Sequence, residues 1–432
     1  MSLLINLALE SQKTLSIPYT SSTIADEVCV AICTHLNIGP SARHIFALRV
    51  SSKNFLHPTA TFQDSTSSLE FRIRFKVASL AKLKKLDSNA FEYYYHQTRL
   101  DVIECNVPDI VYEKHRAELL GLAITDMFRV VMEKEVSVEA IEQDYRKFVP
   151  KVLLKKHRFF VKKPIRKNLV NLCKAVKDKP FSADFLKSQY LGEVDLIAPE
   201  YLSETFKAVI DVDGRSCYII VKVTPPHVPN SGVKYCWESK RNPQNWTHMC
   251  TIEELGFVTT RDDASIEITR LNGIPIYIKF HKLSDMWSFV SLLNGYYKLT
   301  CKWTFALCQS LITPAMKRLH SMRCHGPVGG EFSYAKLEVK TNNQAGCYII
   351  RESETSFNSY YIDVCVKDRL SSAPKTFKLT RLANDQYIFN DDLEPYDSLT
   401  QLVEAYSQPE GAIYLKECIY PSEYGDRPPF YH

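Results

Sequence analysis

The sequence predicts a multidomain α+β protein: an amino-terminal α+β roll, a helical bundle, a small capped β-barrel and a second compact α+β unit, in that order. Three observations carry this prediction. The chain has 432 residues, enough for about three domains of ~150 residues, each with its own core. Hydrophobic residues make up 45% and charged residues 24%, with 14 Gly and 21 Pro, a composition that excludes low-complexity and disordered classes. The chain also changes character between about Asp87 and Tyr190, where it becomes helical, with short β-rich runs on either side.

No uninterrupted apolar run reaches the ~18 residues of a membrane span. The amino-terminal Leu3-Leu4-Ile5 is broken by Asn6 with no basic residue before it, so no secretory signal is expected either. The net charge of +5 is too small for a chain of this length to imply nucleic acid by itself. The 13 cysteines are scattered, odd in number and without a C-x-x-C pair, which reads as reduced thiols in a cytoplasmic setting.

From Leu3 to Phe75 the pattern is strand, strand, helix, then short strands. Ile24, Val28, Ala31, Ile32 and Leu36 lie on one helical face, Thr23 with Asp26 supplies a capping-box start, and Gly39-Pro40 the stop. Leu69 to Phe75 alternates as a half-buried strand. In the helical segment, Leu120, Ala123, Ile124, Met127 and Val131 form a core stripe. From Tyr201 to Thr300, β-rich runs such as Cys217–Val221 and Ile276–Phe280 precede a closing helix with Ser284 at its N-cap and Phe289, Val290, Leu293 and Tyr296 inward. The stretch Thr224 to Asn242, with Pro225, Pro226, Pro229 and Gly232, reads as a mobile loop. A linker of mixed polarity, Cys301 to Arg323, leads to a unit with two helices and central strands. Its second helix starts at the Ser398-x-x-Gln401 capping box and buries Leu399, Leu402, Val403 and Tyr406.

Phosphate-loop, kinase catalytic-loop, nucleophile-elbow and H-E-x-x-H motifs are absent from the sequence. Cys324-His325 with Cys301 and Cys308 lacks the paired spacing of a zinc site, and Cys29 and Cys33 read as core thiols. Two features could carry binding. Lys151, Lys155, Lys156, Arg158, Lys162, Lys163, Arg166 and Lys167 place eight cations in 17 residues with no acid among them. Such a run is either a solvated helix face or a surface for anionic lipid or an acidic partner. The second is Cys347-Tyr348-Ile349-Ile350-Arg351-Glu352-Ser353-Glu354-Thr355. Four apolar residues in a row indicate a strand covered on both faces, and Arg351 leaves it near a buried floor where a cation needs an anion. That anion is either an internal carboxylate such as Asp363, or an external dianion that the Ser353 and Thr355 hydroxyls also meet.

Tyr348 to Thr355 resembles the phosphate-binding strand and loop of the SH2 family. Gly326-Pro327-Val328 resembles its first strand, Lys375-Thr376-Phe377-Lys378-Leu379 a later central strand, and Asp397 to Tyr406 its second helix. Two positions depart: Gly330 stands where many members carry a second phosphate-binding Arg, and Thr376 where the strand usually has His, leaving Arg351, Ser353, Thr355 and Lys378. Upstream, the order of roll, helical bundle and capped barrel resembles the three lobes of a FERM domain. Ser288 to Thr300 is similar to the closing helix of that domain, and Cys324-His325-Gly326-Pro327 to the SH2 start, in the Janus kinases. The resemblance implies a ubiquitin-like roll at 1–78, an acyl-CoA-binding-protein-like bundle at 87–198, a PH-like capped barrel at 201–300, a linker at 301–323 and an SH2 domain at 324–420. Divergence elsewhere suggests an invertebrate, insect-type member.

By that resemblance the chain is the non-catalytic half of a tyrosine kinase, either a fragment or a truncated isoform, whose catalytic half would follow Tyr420. No cofactor is expected in this region; ATP and Mg belong to the absent kinase domain. The implied partners are a cytokine receptor's cytoplasmic tail, phosphotyrosine peptides and the anionic inner face of the plasma membrane, with no nucleic acid. A phosphotyrosine-binding adaptor and a FERM-type linker of membrane and cytoskeleton are the alternatives.

Overall fold

The computed structural model describes the chain except residues 51–53, 63–67, 176–181, 239–244, 369–370, 391, 410, 412 and 421–432. At residues 156–161, 173–175, 368 and 371 it describes the backbone alone. The chain divides into two compact units. One comprises Leu7–Lys13 and Phe91–Ser203, the other Met1–Asn6, Thr14–Ala90 and Glu204–His432. No helix among the described residues is long and apolar enough to cross a membrane.

The larger unit begins with a roll of four strands, β1 (Ser2–Asn6), β2 (Thr14–Pro18), β3 (Phe46–Val50) and β4 (Leu69–Ile73), in the order β2-β1-β4-β3. The central pair β1–β4 is parallel and the outer pairs are antiparallel. Helix α1 (Ala25–His35) buries Val28, Cys29, Ile32 and Cys33, so the two thiols are core, as their spacing suggests. The helix starts later than the Thr23–Asp26 pair predicts. Ile24 is the N-cap, and the Glu27 carboxylate accepts from the Ile24 N–H at 3.0 Å. The Thr23 hydroxyl accepts instead from the Thr20 N–H, closing the preceding turn. After α2 (Pro40–Arg43), α3 (Leu80–Leu86) leads into the helical unit.

That unit is built from α4 (Ser88–Glu104), α5 (Arg116–Lys134), α6 (Val138–Gln143), α7 (Lys151–Ala175) and α8 (Ala183–Ile197). The stripe read from sequence is offset from the buried face of α5: Ala123, Ile124 and Met127 are buried, Leu120 and Val131 only half so, and Leu119, Leu122, Phe128 and Val130 join the core. Asp126 and Arg129 are buried with them, contrary to a reading that turns polar residues outward. A closed network makes this tolerable, since a buried charge survives only when paired and hydrogen-bonded. The Tyr95 hydroxyl donates to Asp126 at 2.5 Å, Arg129 Nε donates to it at 2.9 Å, and Arg99 also pairs with it. Lys187 bridges Glu92 (2.7 Å) and Glu133 (2.6 Å).

The larger unit continues with β5 (Glu204–Val212), β6 (Arg215–Thr224), β7 (Gly232–Trp237), β8 (Thr247–Cys250), β9 (Leu255–Thr260), β10 (Ser265–Arg270) and β11 (Ile276–Phe280). They form an antiparallel sheet in the order β8-β7-β6-β5-β11-β10-β9. The segment expected to be a loop after Thr224 therefore contains a strand. Thr224 pairs with Gly232, whose φ of +105° makes the return that a side chain would resist; residues 239–242 of that segment lie outside the described residues. Helix α9 (Leu283–Thr300) closes the sheet, with Phe289 against Phe206 and Phe280. Its N-cap is Lys282 and not Ser284, which sits inside the first turn next to Asp285. The predicted inward residues Phe289, Val290, Leu293 and Tyr296 are all buried. Gly295 is dictated by packing: a Cβ there would stand 2.1 Å from the Phe75 ring.

The linker is no spacer. Trp303, Leu307, Cys308, Leu311 and Met316 are buried, and α10 (Pro314–Ser321) starts with Thr313 accepting from the Met316 N–H at 3.3 Å. The last module has α11 (Gly330–Thr341), β12 (Cys347–Glu352), β13 (Ser359–Asp368), β14 (Ser371–Arg381), β15 (Tyr387–Phe389), α12 (Leu399–Ala405) and β16 (Glu417–Cys418). The sheet order is β15-β14-β13-β12-β16. Ser398 caps α12 by accepting from the Gln401 N–H, and the Gln401 side chain accepts from the Asp397 N–H, which completes the predicted box one residue early. One sheet face packs Tyr348, Ile350, Tyr360, Ile362, Val364 and Leu379 with Leu402 of α12. The other packs Cys347, Ile349 and Cys365 with Leu337 of α11. Burial on both faces is why β12 reads as a continuous apolar run.

Candidate functional site

The pairing register sets what surrounds Arg351. Arg351 of β12 lies opposite Tyr361 of β13, which lies opposite Lys378 of β14; one step along the same face, Ile349 lies opposite Asp363, and Asp363 opposite Thr376. Side chains two apart on a strand share a face, so Arg351, Tyr361, Asp363, Thr376 and Lys378 all stand on the α11 side. The guanidinium stacks over the Tyr361 ring, 4.6 Å from its centroid. Its Nε donates to the Asp363 carboxylate at 2.6 Å. Asp363 is 0% exposed and Arg351 5%. The second Asp363 oxygen accepts from the Thr376 hydroxyl at 2.5 Å, and the Tyr334 hydroxyl of α11 lies 2.8 Å from the same Thr376 oxygen.

Of the two readings of Arg351, the structure therefore has the internal pair. The internal anion is supplied twelve residues downstream on the neighbouring strand and is held through Nε alone; among the described residues the terminal nitrogens Nη1 and Nη2 make no hydrogen bond. Two further carboxylates face the site. Glu354 is half-buried, and burial first, then Glu331, raises its carboxyl above the usual range while Arg351 opposes the shift. Gly330 lies against the same guanidinium: a Cβ there would stand 3.2 Å from Arg351 Nη2, a tight contact.

The loop hydroxyls are placed differently from each other. Ser353 is buried, and its oxygen accepts from the Thr355 and Ser356 N–H groups at 3.3 and 3.2 Å, so it shapes the turn after β12. Thr355 and Lys378 are exposed. His325 belongs to the core: its N–H donates to the Ile350 carbonyl (2.8 Å), and its Nε2 bonds the Ile419 carbonyl (2.9 Å).

The second candidate lies on α7 of the helical unit, which buries Leu153, Ile165 and Leu169 and turns Lys151, Lys155, Lys162, Lys163, Arg166 and Lys167 to solvent. Lys151 pairs with Glu104, and Arg166 with Glu142 at 3.3 Å. Lys155, Lys162, Lys163 and Lys167 have no ion pair among the described residues. The side chains of Lys156 and Arg158 lie outside the described residues. Sequence reasoning found both regions and placed Thr376 on a later central strand; it missed Tyr361 and the Glu331–Glu354 rim, which only the strand register and the start of α11 bring to Arg351.

Residues 322–421 match the family model for the SH2 domain, and residues 84–197 match that for the FERM F2 acyl-CoA binding protein-like domain. Over 437 residues the chain is 25% identical to tyrosine-protein kinase hopscotch of Drosophila melanogaster, covering 83% of this chain and 37% of that protein. The chain fits the amino-terminal region of an invertebrate Janus kinase. Tyrosine-protein kinase JAK3 of Rattus norvegicus is 22% identical over 383 residues, covering 80% of this chain and 34% of that protein. The chain thus spans little more than a third of the length of these relatives. Among solved structures, the FERM and C-terminal domain complex of Drosophila Merlin aligns at a TM-score of 0.49 and 12% identity, covering 69% of this chain and 95% of that one. In Janus-kinase terms, the basic helix falls in the F2 lobe and the Arg351–Asp363 pair in the SH2 sheet.

Proposed function

We propose that this Janus-kinase region docks its kinase on the cytoplasmic tail of a cytokine receptor, at the inner face of the plasma membrane, for JAK–STAT signalling. The SH2 module takes its receptor segment without requiring phosphate. The F2 helix α7 supplies the cationic surface for anionic lipid or acidic tail residues.

The observation that carries this reading is the neutralised Arg351. A phosphotyrosine brings nearly two negative charges, and here it would meet a guanidinium already held by Asp363, with Glu354 and Glu331 beside it. Each charge-assisted bond to a phosphate contributes roughly 1.5–3 kcal/mol, and the internal carboxylate takes that contribution first. Lys155, Lys162, Lys163 and Lys167, exposed and without an ion pair among the described residues, support the second half of the proposal, at about 1 kcal/mol per cation near an anionic surface. Two linked sites also raise the effective concentration for the second contact.

The test is calorimetry of receptor-tail peptides, unphosphorylated and tyrosine-phosphorylated, against the chain, with co-sedimentation on phosphatidylserine vesicles. The expected result is equal affinity for both peptides to within a few-fold. Reversal of Lys155, Lys162, Lys163 and Lys167 to Glu is expected to abolish salt-sensitive vesicle binding. A tenfold or greater preference for the phosphopeptide would favour the adaptor reading. Vesicle binding that survives the reversal would return α7 to a solvated face.

A further inference from the structure

Within the larger unit, a cavity of about 180 Å³ lies where the roll, α9, the linker and β12 meet. Its wall is mostly apolar, with Ala25, Phe46, Leu56, Leu311, Met316 and Phe357 among the lining residues. Charged groups from every one of these segments face it. Arg43 is 8% exposed. One of its terminal nitrogens pairs with Asp26, the other lies 3.0 Å from His44 Nδ1, and its Nε is buried without a partner. The Lys298 ammonium lies over the Trp303 ring, 5.7 Å from its centroid, with no ion pair or hydrogen bond among the described residues. Arg318 Nε approaches the Tyr360 hydroxyl at 3.5 Å. Arg74 is held by Glu204 (2.7 Å), and His320 bonds the Thr304 carbonyl. Glu352 is the remaining acid; burial raises its carboxyl above the usual range, against the pull of Arg43, Arg318 and Lys298.

The balance decides the ligand. Arg43, Arg74, Lys298 and Arg318 are four cations against the three carboxylates Asp26, Glu204 and Glu352, and His44 is kept neutral by burial, with Arg43 and Lys298 adding to the effect. At least one positive charge is in excess inside a largely apolar wall, and small-molecule sites combine such walls with a few convergent polar groups. We propose that this cavity binds a small organic monoanion, a carboxylate with a compact apolar body, its head between Arg43, Lys298 and Arg318. A neutral molecule would leave that charge, and inorganic phosphate has no apolar body for the wall. A cavity of about 150 Å³ accepts a benzene ring, so the body is one ring or a short acyl chain. Because the wall draws on the FERM-type roll, α9, the linker and the SH2 sheet, occupancy ties these segments together.

The test uses the full chain, with benzoate and hexanoate as probes, benzamide as the neutral isostere and inorganic phosphate as the dianion. Readouts are thermal shift and tryptophan fluorescence, since Trp303 lines the cavity. Benzoate or hexanoate is expected to raise Tm saturably and to change the fluorescence, while benzamide and phosphate do neither. Lys298→Met is expected to weaken benzoate at least tenfold, and Lys298→Arg to retain it. A measurement independent of any variant is the pH profile. Burial and Arg43 push Lys298 down to about 8, against the pull of Glu352, so benzoate affinity holds below that pH and falls about tenfold per unit above it as the ammonium loses its proton. Absence of a saturable shift, benzamide binding as well as benzoate, preference for phosphate, or a flat profile between pH 7 and 9.5 would each overturn the proposal.

Discussion

Asp363→Asn isolates the charge of the carboxylate that holds Arg351 and leaves its shape nearly unchanged. In the parent chain this carboxylate, 0% exposed, accepts from Arg351 Nε at 2.6 Å and from Thr376 at 2.5 Å. Removing one partner of a buried pair leaves the other charge uncompensated, at about 3–5 kcal/mol. The amide still offers one acceptor oxygen, so the expected cost is at the lower end, about 3 kcal/mol. Arg351→Met leaves the opposite orphan, a buried carboxylate with only Thr376, and is expected to cost a similar amount. The double variant Arg351→Met with Asp363→Leu replaces both charges by apolar groups, which is often neutral or stabilising. Its stability is expected to return most of the way to the parent value.

A chain of several modules does not unfold in one two-state step, so the assay must be local. Hydrogen exchange of the amides in β12 and β13, read by mass spectrometry, reports the opening of this sheet alone. A loss of about 3 kcal/mol corresponds to roughly a hundredfold faster exchange, at 1.4 kcal/mol per factor of ten. The same variant frees Arg351, so phosphopeptide affinity is expected to rise at least tenfold while that for the unphosphorylated peptide stays put. If Asp363→Asn changes exchange by less than about tenfold and leaves phosphopeptide affinity unchanged, Asp363 is not the anion that occupies this site.

Two further outcomes are expected. In the helical unit, burial alone would raise the Asp126 carboxyl, but Arg99 and Arg129 hold it below the usual range. A depressed native pKa contributes stability that is full above the unfolded value of about 4 and is lost as pH falls through the native value. Acid unfolding followed by exchange in α5 is expected to show this loss below pH ~4, and Asp126→Asn to remove the acid limb at a large cost in stability at neutral pH. At the roll, Gly295→Ala sets a methyl 2.1 Å from the Phe75 ring, an overpacking expected to cost about 1–3 kcal/mol. Phe75→Leu on the same chain is expected to recover part of the lost exchange protection in α9.

What was legible in the sequence was periodic and local. Ser398 and Gln401 make the α12 cap because both partners lie within one turn, and the inward residues of α9 are a single helical stripe. The four apolar residues of β12 were readable because burial on both faces leaves no alternation. What failed was set by distant partners. Asp363 meets Arg351 only through the β12–β13 register, and nothing within β12 says which carboxylate arrives. Strand β7 was hidden behind three prolines that shape its approach without entering it. Asp126 and Arg129 sit at positions a polarity rule turns outward, and only Tyr95 and Arg99 of α4 make them tolerable inside. Linker residues such as Trp303 carry no period, yet a Cβ at Gly326 would stand 1.9 Å from the Trp303 indole nitrogen, so the linker's burial is fixed by the chain that follows it.

The two cation-rich regions separate into different physical kinds. Around Arg351 much is held from within: Asp363 accepts from the guanidinium Nε, Tyr361 stacks on it, and Ser353 accepts from its own turn, while Thr355 and Lys378 stay exposed. Under the docking proposal, peptide recognition there leans less on Arg351 and more on shape, backbone bonds and apolar contact. On α7 the reverse holds, because Lys155, Lys162, Lys163 and Lys167 are exposed and unpaired among the described residues. Exposed charges are screened within about 10 Å at 0.1 M salt, and buried pairs much less. The ionic-strength dependence of docking should therefore belong almost wholly to α7. Salt would weaken attachment to an anionic surface while leaving the SH2 contact nearly untouched, which is how a two-point attachment can have one tunable arm and one constant one.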